Sequence, residues 1–271
     1  LNIDDDHTDC YPTLDSAEAA FADFLAQSRA AVVSADDPRV MRAAAACPGE
    51  VTTFSLSDRR ADGYAEDISF AHGRYAFTLV WKGERAGRIR VGTVGRYNVA
   101  NALAAATAAL SVGVPAEAVC DSLSGDRGVK RRMEYRGSYQ KTAFYDDYAH
   151  HPAEIAASLC AARELSPGRL ICVFQSHTYT RTAAHLREMA EALDAADLVL
   201  VADIFPARET DTLGMSAALL AECIGEKATA PGDTEAVRQT MLSLLRPGDT
   251  VVVMGAGDID RIFEGLPLLL Q

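Results

Sequence analysis

The chain has 271 residues, 49% of them hydrophobic, and a formal net charge of -12 at pH 7. This length is sufficient for two domains with apolar cores, and the acidic balance argues against a nucleic-acid partner, which requires a basic surface. No apolar run reaches the length of a membrane span and no signal peptide begins the chain, so a membrane partner is not predicted.

The six cysteines show none of the C-x-x-C spacing that a zinc site or a redox motif needs. Cys160 lies in a predicted helix and Cys172 in a predicted buried strand, so both are expected to be reduced core residues. Free thiols of this kind are typical of the cytoplasm, which is the localisation that the sequence predicts.

The first part of the chain begins with an acidic loop. His7 lies among four aspartates, and an imidazole with carboxylates suits a divalent cation; the alternative is a solvated acidic turn with an incidental histidine. Residues 14–30 carry apolar side chains at helical spacing and predict an amphipathic helix. A strand at residues 31–34 and a helix at residues 36–46 follow.

Residues 51–93 consist of short runs separated by glycines, which predicts antiparallel strands and hairpins. An alanine-rich helix opens after residue 95, and residues 115–123 predict a shorter one. Asn98 and Asn101 are three residues apart and so share one helix face. Their amides offer the donors and the acceptor that suit an adenine edge. Asparagine is also an ordinary helix cap, and the residues alone favour the cap.

Residues 125–133 are typical of a linker, because two glycines precede three consecutive basic residues. Beyond it, strands alternate with helices, which predicts a doubly wound α/β domain. The predicted strands cover residues 141–145, 170–175, 197–203 and 249–254, and the predicted helices cover residues 152–165, 182–195, 214–223 and 233–245. Residues 255–257, Gly-Ala-Gly, predict a tight turn, since Asp260 occupies the third glycine position of a dinucleotide fingerprint.

Two polar clusters sit at the ends of predicted strands: Asp-Asp-Tyr-Ala-His-His-Pro at residues 146–152 and Phe-Gln-Ser-His-Thr-Tyr-Thr-Arg-Thr at residues 174–182. Ligands of an open parallel sheet bind where the carboxyl ends of strands meet the following loops, so both clusters are expected to face one crevice. Taken singly, the histidine pair could cap a helix and the arginine could be solvated. Their equivalent positions at two strand ends favour a functional site.

These clusters, together with Asp-Ile-Phe-Pro-Ala-Arg-Glu at residues 203–209, resemble three motifs of the Mur ligase family in the same order. The resemblance covers essentially the whole chain. It departs at Ser176, where the family has proline, at Thr178, where it has arginine, and at Tyr97, where it has histidine.

The resemblance implies that residues 1–128 form the C-terminal part of the family's central ATP-binding domain, and that residues 129–271 form its Rossmann-like C-terminal domain. It also implies an ATP-dependent ligase that joins L-alanine to UDP-N-acetylmuramate through an acyl phosphate during peptidoglycan precursor synthesis. ATP and Mg²⁺ are the cofactors implied, and the other partners are the two small-molecule substrates.

Nucleotide-binding roles come to this chain only through the resemblance. It implies that His7 ligates a magnesium ion near the γ-phosphate and that Asn98 and Asn101 lie beside the nucleotide. It further implies that Arg132 reaches the γ-phosphate, as a permanently charged guanidinium can, and that Asp147 contacts the ribose.

On the amino-acid side, the resemblance implies that Arg181 holds the carboxylate of the incoming amino acid. His177 and Tyr148 would line this substrate site, and His150 would orient the substrate or accept a proton. His150, His177 and Arg181 are therefore the candidate catalytic residues.

The chain contains no G-x-x-x-x-G-K-[ST] phosphate loop, and the family carries that loop upstream of the matched region. We therefore expect this chain to be a fragment that is inactive alone. Two alternatives remain open. One is a murein tripeptide recycling ligase of the same family, which has a different segment at residues 174–182. The other is a non-catalytic domain of the same fold that binds a nucleotide or an amino acid without turnover.

Overall fold

The computed structural model describes residues 1–5 and 10–269 of the chain. The chain divides into two compact units, Leu1–Arg127 and Gly128–Gln271. The α/β fold predicted from the sequence is confirmed, because within the described residues each unit combines helices with a sheet that contains parallel strands. None of the helices in these described ranges has both the length and the apolar character needed to cross a membrane.

The described part of the first unit contains five strands and four helices. The strands are β1 (Ala30–Ser34), β2 (Glu50–Ser55), β3 (Gly63–Ala71), β4 (Arg74–Trp81) and β5 (Glu84–Arg90). The helices are α1 (Leu14–Ala26), α2 (Pro38–Ala44), α3 (Tyr97–Ser111) and α4 (Ala116–Gly125).

The sheet of the first unit runs in the order β1-β2-β3-β4-β5. Strands β3, β4 and β5 form antiparallel hairpins, as predicted. The antiparallel prediction for residues 51–93 is wrong at β2, which is parallel to both β1 and β3. One face of the hairpins packs into a core with α3 and α4, where Phe77, Leu79, Ile89 and Leu103 are fully buried. The opposite face of the hairpins is therefore left on the surface.

Local sequence explains where the helices of this unit begin. Thr13 and Ser16 form a reciprocal capping box at the start of α1. Asp37 caps α2, and Pro38 occupies its first position, where a missing N–H costs nothing. The residue before α3, Arg96, makes no side-chain capping bond, so neither Asn98 nor Asn101 is the cap of that helix. The capping interpretation of the two asparagines is thereby wrong.

The second unit contains six strands and five α-helices in its described part. The strands are β6 (Glu134–Tyr139), β7 (Thr142–Asp147), β8 (Leu170–His177), β9 (Leu198–Phe205), β10 (Ala228–Gly232) and β11 (Thr250–Met254). The helices are α5 (Pro152–Leu165), α6 (Tyr179–Ala184), α7 (Leu186–Leu193), α8 (Ala217–Ile224), α9 (Thr234–Leu244) and a short 3-10 helix (Ile259–Phe263).

The sheet of the second unit runs in the order β10-β9-β8-β11-β7-β6. The last strand, β11, lies between β7 and β8 and is parallel to both, with Met254 aligned to Asp147 on one side and to Phe174 on the other. All five residues of β11 are buried, as expected of a strand covered on both faces. This register brings the carboxyl ends of β7, β11 and β8 to the same edge of the sheet.

Several details of this unit differ from the sequence-based predictions. The helix predicted at residues 182–195 is two helices, because His185 leaves helical geometry with φ -124° and ψ 24°. Strands β6 and β10 were not predicted, since a bulge near Gly137 interrupts one and the other is a short edge strand that contains proline and glycine. Cys172 is buried as predicted, but Cys160 is exposed. It lies on α5 away from the buried face formed by Ile155 and Leu159.

Candidate active site

Three loops at one edge of the second unit's sheet bring the predicted clusters together. The Gly255 N–H donates to the Asp147 carbonyl at the end of β7, at 3.1 Å. On its other side, a Cβ added at Gly255 would lie 2.7 Å from the Gln175 carbonyl oxygen near the end of β8. The Gly-Ala-Gly turn thus fills the space between the two polar clusters. The ring centroids of His150 and His177 lie 6.2 Å apart across it.

The first histidine of the His-His pair, His150, is held through one ring nitrogen. Its Nδ1 lies 2.9 Å from the Tyr148 carbonyl oxygen and 3.5 Å from a Glu154 carboxylate oxygen. A carbonyl only accepts hydrogen bonds, so Nδ1 carries the proton and Nε2 of the neutral ring is the acceptor. His150 can therefore accept a proton at Nε2.

The second histidine of the pair, His151, has a different task. Its Nδ1 accepts a hydrogen bond from the Ala153 N–H at 3.4 Å, and Glu154 completes a capping box at the start of α5. The alternative that a His-His pair before proline caps a helix is therefore correct for His151 and not for His150. Capping by His151 and Glu154 also fixes the loop on which His150 stands.

His177, the last residue of β8, lies on the β8 side of the crevice. It stacks on Phe205, with centroids 5.6 Å apart and an interplanar angle of 21°. Burial lowers the pKa of His177, and the positive charge of Arg181 lowers it further. Its Nδ1 is buried with no hydrogen-bond partner in the described residues. His177 is therefore a neutral ring with an unused polar atom at physiological pH.

The loop between β8 and α6 is braced by the third motif. The Glu209 carboxylate accepts hydrogen bonds from the Tyr179 N–H at 2.5 Å, from the Thr180 N–H at 3.1 Å and from the Thr180 hydroxyl. Although burial opposes its charged form, the hydrogen bonds from Thr180 and Tyr179 hold the pKa of Glu209 below its usual range. The Thr178 N–H donates to the Phe205 carbonyl at 2.8 Å. The Phe205-to-Glu209 segment therefore supports the loop that carries Arg181.

The position that departs from the family, Thr178, has unusual backbone geometry. Its φ of 67° and ψ of 147° lie in a region that favours glycine. The Thr178 hydroxyl accepts from the Arg181 N–H at 3.4 Å, and the Thr178 carbonyl accepts from the Thr182 hydroxyl at 2.7 Å. Thr178 is thus the cap residue from which α6, the helix that carries Arg181, begins.

The carboxylate of Asp147 is buried and already has three donors. These are the Ala149 N–H at 2.9 Å, the Met133 N–H at 3.1 Å and the Ser158 hydroxyl at 2.9 Å. Burial raises the pKa of Asp147, and these hydrogen bonds oppose the rise. The predicted ribose contact of Asp147 stays a prediction, and it would require one of these bonds to be exchanged.

Sequence reasoning missed a buried ion pair behind the crevice. Arg131 Nε lies 3.5 Å from an oxygen of Asp146, which is fully buried. The same guanidinium donates to the Gly255 carbonyl at 2.5 Å and to the Gly257 carbonyl at 3.3 Å. Arg131 thus ties the linker to the loop that follows β11. The two glycines of this turn and the basic triplet were both visible in the sequence, but nothing in it indicated their contact.

Tyr148 lies close to two arginines. The guanidinium of Arg131 is 5.0 Å from the centre of its ring and that of Arg132 is 5.7 Å from it. Arg132 also lies 3.5 Å from a Glu154 oxygen, and half of its side chain is exposed. The predicted residues Tyr148 and Arg132 are therefore neighbours, with Arg132 open to an anionic ligand.

In the first unit, Asn98 and Asn101 share a helix face as predicted. The Asn101 side chain donates to the Asn98 side-chain oxygen at 2.9 Å, and Asn98 donates to the Val94 carbonyl at 2.7 Å. Asn101 is exposed, so its own carbonyl oxygen is open to a ligand. His7, the predicted magnesium ligand, lies outside the described residues. Within residues 1–5 and 10–269, no group of three or more His, Cys, Asp or Glu side chains is arranged to hold a metal.

Comparison with protein families gives two matches along the chain. Residues 1–109 match the Mur ligase middle domain, and residues 131–257 match the Mur ligase, glutamate ligase domain. Together these matches cover both units and fall on either side of the linker.

Among curated proteins, the UDP-N-acetylmuramate–L-alanine ligases of Syntrophotalea carbinolica and Acetivibrio thermocellus are each 36% identical to the chain. The alignments cover 100% and 97% of this chain but only 60% and 58% of those proteins, so the chain spans about 60% of their length. The solved UDP-N-acetylmuramate-alanine ligase of Thermotoga maritima is similar over 96% of this chain and 56% of its own, with a TM-score of 0.76 and 22% identity. With its motifs, its fold and both domain matches in agreement, the chain belongs to the Mur ligase family.

Proposed function

We propose that this chain is part of an ATP-dependent ligase that joins L-alanine to UDP-N-acetylmuramate in peptidoglycan precursor synthesis. The observation that carries the proposal is that His150 and His177 lie 6.2 Å apart where β7 and β8 end, with the charge of Arg181 near enough to lower the pKa of His177. One cation and two imidazoles at that edge suit an amino acid, whose carboxylate needs a positive charge and whose amine must lose a proton. The names of the curated relatives support this substrate class.

The proposed amino-acid site uses each side chain according to its environment. Arg181 holds the carboxylate, because a guanidinium is permanently charged and binds carboxylates bidentately. His150 accepts a proton at Nε2, since its Nδ1 faces the Tyr148 carbonyl. His177 stays neutral beside Arg181 and lines the site with Tyr148, so that it does not repel the incoming ammonium group.

The proposed nucleotide-binding residues are Asn98, Asn101, Arg132 and Asp147. The exposed amide of Asn101 and its neighbour Asn98 suit a base edge, and the half-exposed Arg132 suits a phosphate. Bound ATP would supply the phosphoryl group that activates the muramate carboxylate as an acyl phosphate, and His7 would help to hold Mg²⁺. Asp147 would contact the ribose.

A cytoplasmic location is part of the proposal. All six cysteines are free thiols, although three of them are exposed. Exposed thiols persist in a reducing compartment, and nucleotide substrates are available there.

A chimeric enzyme tests the proposed reaction. The matching 60% of the Syntrophotalea carbinolica ligase would be replaced by this chain, and phosphate release would be measured. We expect release that requires ATP, UDP-N-acetylmuramate and L-alanine together. Release that needs murein tripeptide instead of L-alanine would favour the recycling ligase, and ligand binding without any turnover would favour a non-catalytic domain. The chain alone, without a phosphate loop, is the negative control.

The chimera also tests the role of Arg181. Arg181→Ala should raise the Michaelis constant for L-alanine on the order of a hundredfold, equivalent to roughly 2–3 kcal/mol, because the carboxylate loses its charged partner. The Michaelis constant for ATP should change little. Arg187→Ala, at an exposed arginine of α7, is the matched control. Thr178→Arg should leave activity intact or improve alanine binding. A weakened ATP constant with alanine unchanged would contradict the assignment of Arg181.

A further inference from the structure

A basic groove lies along the β3–β4–β5 hairpins in the first unit, beside the C-terminal end of α4. Because side chains alternate across a strand, the core face takes Tyr75, Phe77 and Ile89, and the outer face takes the residues between them. The groove has a volume of about 700 Å³. We call it the arginine groove and define it by Arg74, Arg88, Arg90, His72, Ser69 and Ser124.

The three arginines of this groove have no carboxylate partner. Within the described residues, no salt bridge of 4.0 Å or less involves Arg74, Arg88 or Arg90, whereas Arg59 and Arg85 on the same unit both pair with Glu66. The neighbouring carboxylate of Asp67 is likewise engaged, at 3.2 Å from Arg85. Three positive charges thus share one groove without neutralisation, although the whole chain carries a formal net charge of -12.

Within residues 1–5 and 10–269, the side-chain hydrogen bonds of these arginines go to hydroxyls. Arg88 donates to the Ser69 hydroxyl at 2.9 Å and to the Thr78 hydroxyl at 3.5 Å. The Ser124 hydroxyl accepts from the Arg90 backbone N–H at 3.1 Å, so its own proton is available to an acceptor. Guanidinium groups and hydroxyl donors that line one open volume can bind an anion.

The sheet register spaces the charges evenly. Arg90 pairs with Ala76 and Arg88 pairs with Thr78, while Arg74 sits two residues from Ala76 on β4. Residues two apart on a strand are about 7 Å from each other, and diagonal neighbours across a pair of strands are about 7–8 Å apart. Long arginine side chains close such gaps. Ala71 and Ala76 also line the groove, and their small side chains leave space between the arginines.

We propose that the arginine groove binds the diphosphate group of a small molecule. A guanidinium fork matches two phosphate oxygens, and three forks suit a group with several negative charges. The volume lies in the range of small-ligand sites, about 300–1,000 Å³. A long polyanion such as a nucleic acid is disfavoured, because the acidic remainder of the chain would repel it. This inference is independent of the proposed ligase reaction.

Titration of the purified chain with inorganic pyrophosphate tests the proposal. We expect saturable binding by calorimetry, and at matched ionic strength binding tighter than that of sulfate by about tenfold. Arg88→Ala with Arg90→Ala should weaken it by tenfold or more. The matched control, Arg59→Ala with Arg60→Ala, removes two ion-paired arginines of the same unit and should bind like the wild type. Arg88→Lys with Arg90→Lys should fall between, since lysine keeps the charge but not the fork.

Chemical protection provides a second test that needs no variant. Phenylglyoxal modification, mapped by mass spectrometry, should be slowed by pyrophosphate at Arg74, Arg88 and Arg90 and be unchanged at Arg85. The proposal would be overturned if the chain did not bind pyrophosphate, or if it bound sulfate with equal affinity. It would also be overturned if the two double alanine variants lost the same pyrophosphate affinity. The proposal would also be overturned if the chain bound poly-glutamate and not pyrophosphate, and if that binding depended on Arg88 and Arg90. The occupant would then be an acidic protein segment.

Discussion

Two adjacent carboxyl groups at the end of β7 have different surroundings. Consecutive side chains of a strand point to opposite faces, so Asp147 meets Ser158 and the Met133 N–H while Asp146 meets Arg131 and Arg136. Burial raises the pKa of Asp146 to about 6, and the two arginines only partly oppose it. The raised pKa therefore places the change of charge at Asp146 close to neutral pH.

The raised pKa of Asp146 predicts a pH-dependent stability difference. The folded state binds the proton more tightly than the unfolded state, so the contribution of Asp146 is most favourable below its unfolded value of about 4 and is lost as pH rises to about 6. The free energy of unfolding of the wild type relative to Asp146→Asn should fall by roughly 1–3 kcal/mol across that window. Urea denaturation of both proteins from pH 4 to 7.5 measures it. Parallel curves would contradict the assignment.

At the scale of elements, the candidate site is assembled from loops that support one another. Helix α6 has only six residues, and helices this short are not stable alone. The first N–H groups of α6 instead donate hydrogen bonds to Glu209, which lies on a loop that follows a different strand. The linker is held in the same way, because Arg131 reaches the carbonyls of Gly255 and Gly257.

Removing the Glu209 carboxylate should loosen α6. Glu209→Ala leaves the Tyr179 and Thr180 N–H groups without their charged acceptor, and we expect a loss of about 1–3 kcal/mol in local stability. Hydrogen exchange at these two amides measures the opening. Glu209→Gln, which keeps an acceptor oxygen, should have a smaller effect, and Glu222→Ala on α8, exposed to solvent, should have none. Unchanged exchange in Glu209→Ala would show that α6 does not depend on this brace.

Two neighbouring arginines of the linker should differ sharply on truncation. Arg131→Ala removes the more buried of the two counter-charges of Asp146, the other being Arg136, and losing a buried partner costs up to about 3–5 kcal/mol. Arg132→Ala is the matched control, because its ion pair with Glu154 is half-exposed and 3.5 Å long. Thermal denaturation should place Arg131→Ala well below the wild type and Arg132→Ala close to it. Equal shifts in the two variants would refute a structural role specific to Arg131.

At the scale of the whole molecule, each unit has its own sheet and its own apolar core. The core of the second unit joins residues of β7, β8, β9 and β11 with α9 and the 3-10 helix. In the first unit, β1 is at the edge of the sheet although Val33 is buried, so one side of an apolar strand has no paired neighbour in the described residues.

This difference predicts unequal stability of the separated units. Residues 128–271 should unfold cooperatively on their own, with a transition close to that of the full chain, because their six-stranded sheet has its apolar strands inside. Residues 1–127 should be less stable alone. Limited proteolysis of the full chain should leave a core that begins near Gly128. Early cleavage within residues 150–260 while residues 1–120 resist would contradict this prediction.

Features that depend on residues close together in the sequence could be predicted, and features that depend on distant residues could not. Helix α5 was predicted with its observed ends, because proline, a capping glutamate and apolar periodicity are all local signals. The three motifs indicated the family in the same way, since each is a short run of residues. The order of the strands was not local information. β11 is last in the chain yet lies between β7 and β8, and that position sets which loops meet.

The amino-acid sequence by itself determined the α/β class, most helices and strands, and the polar residues placed at strand ends. Only the tertiary structure decided the partners of those residues: Glu209 beneath α6, Arg131 against Asp146 and Gly255, and the unpaired arginines along the hairpins. The physical reason is that helix periodicity and caps act over a few residues. Burial, ion pairing and the pKa of Asp146 depend on groups brought together from distant parts of the chain.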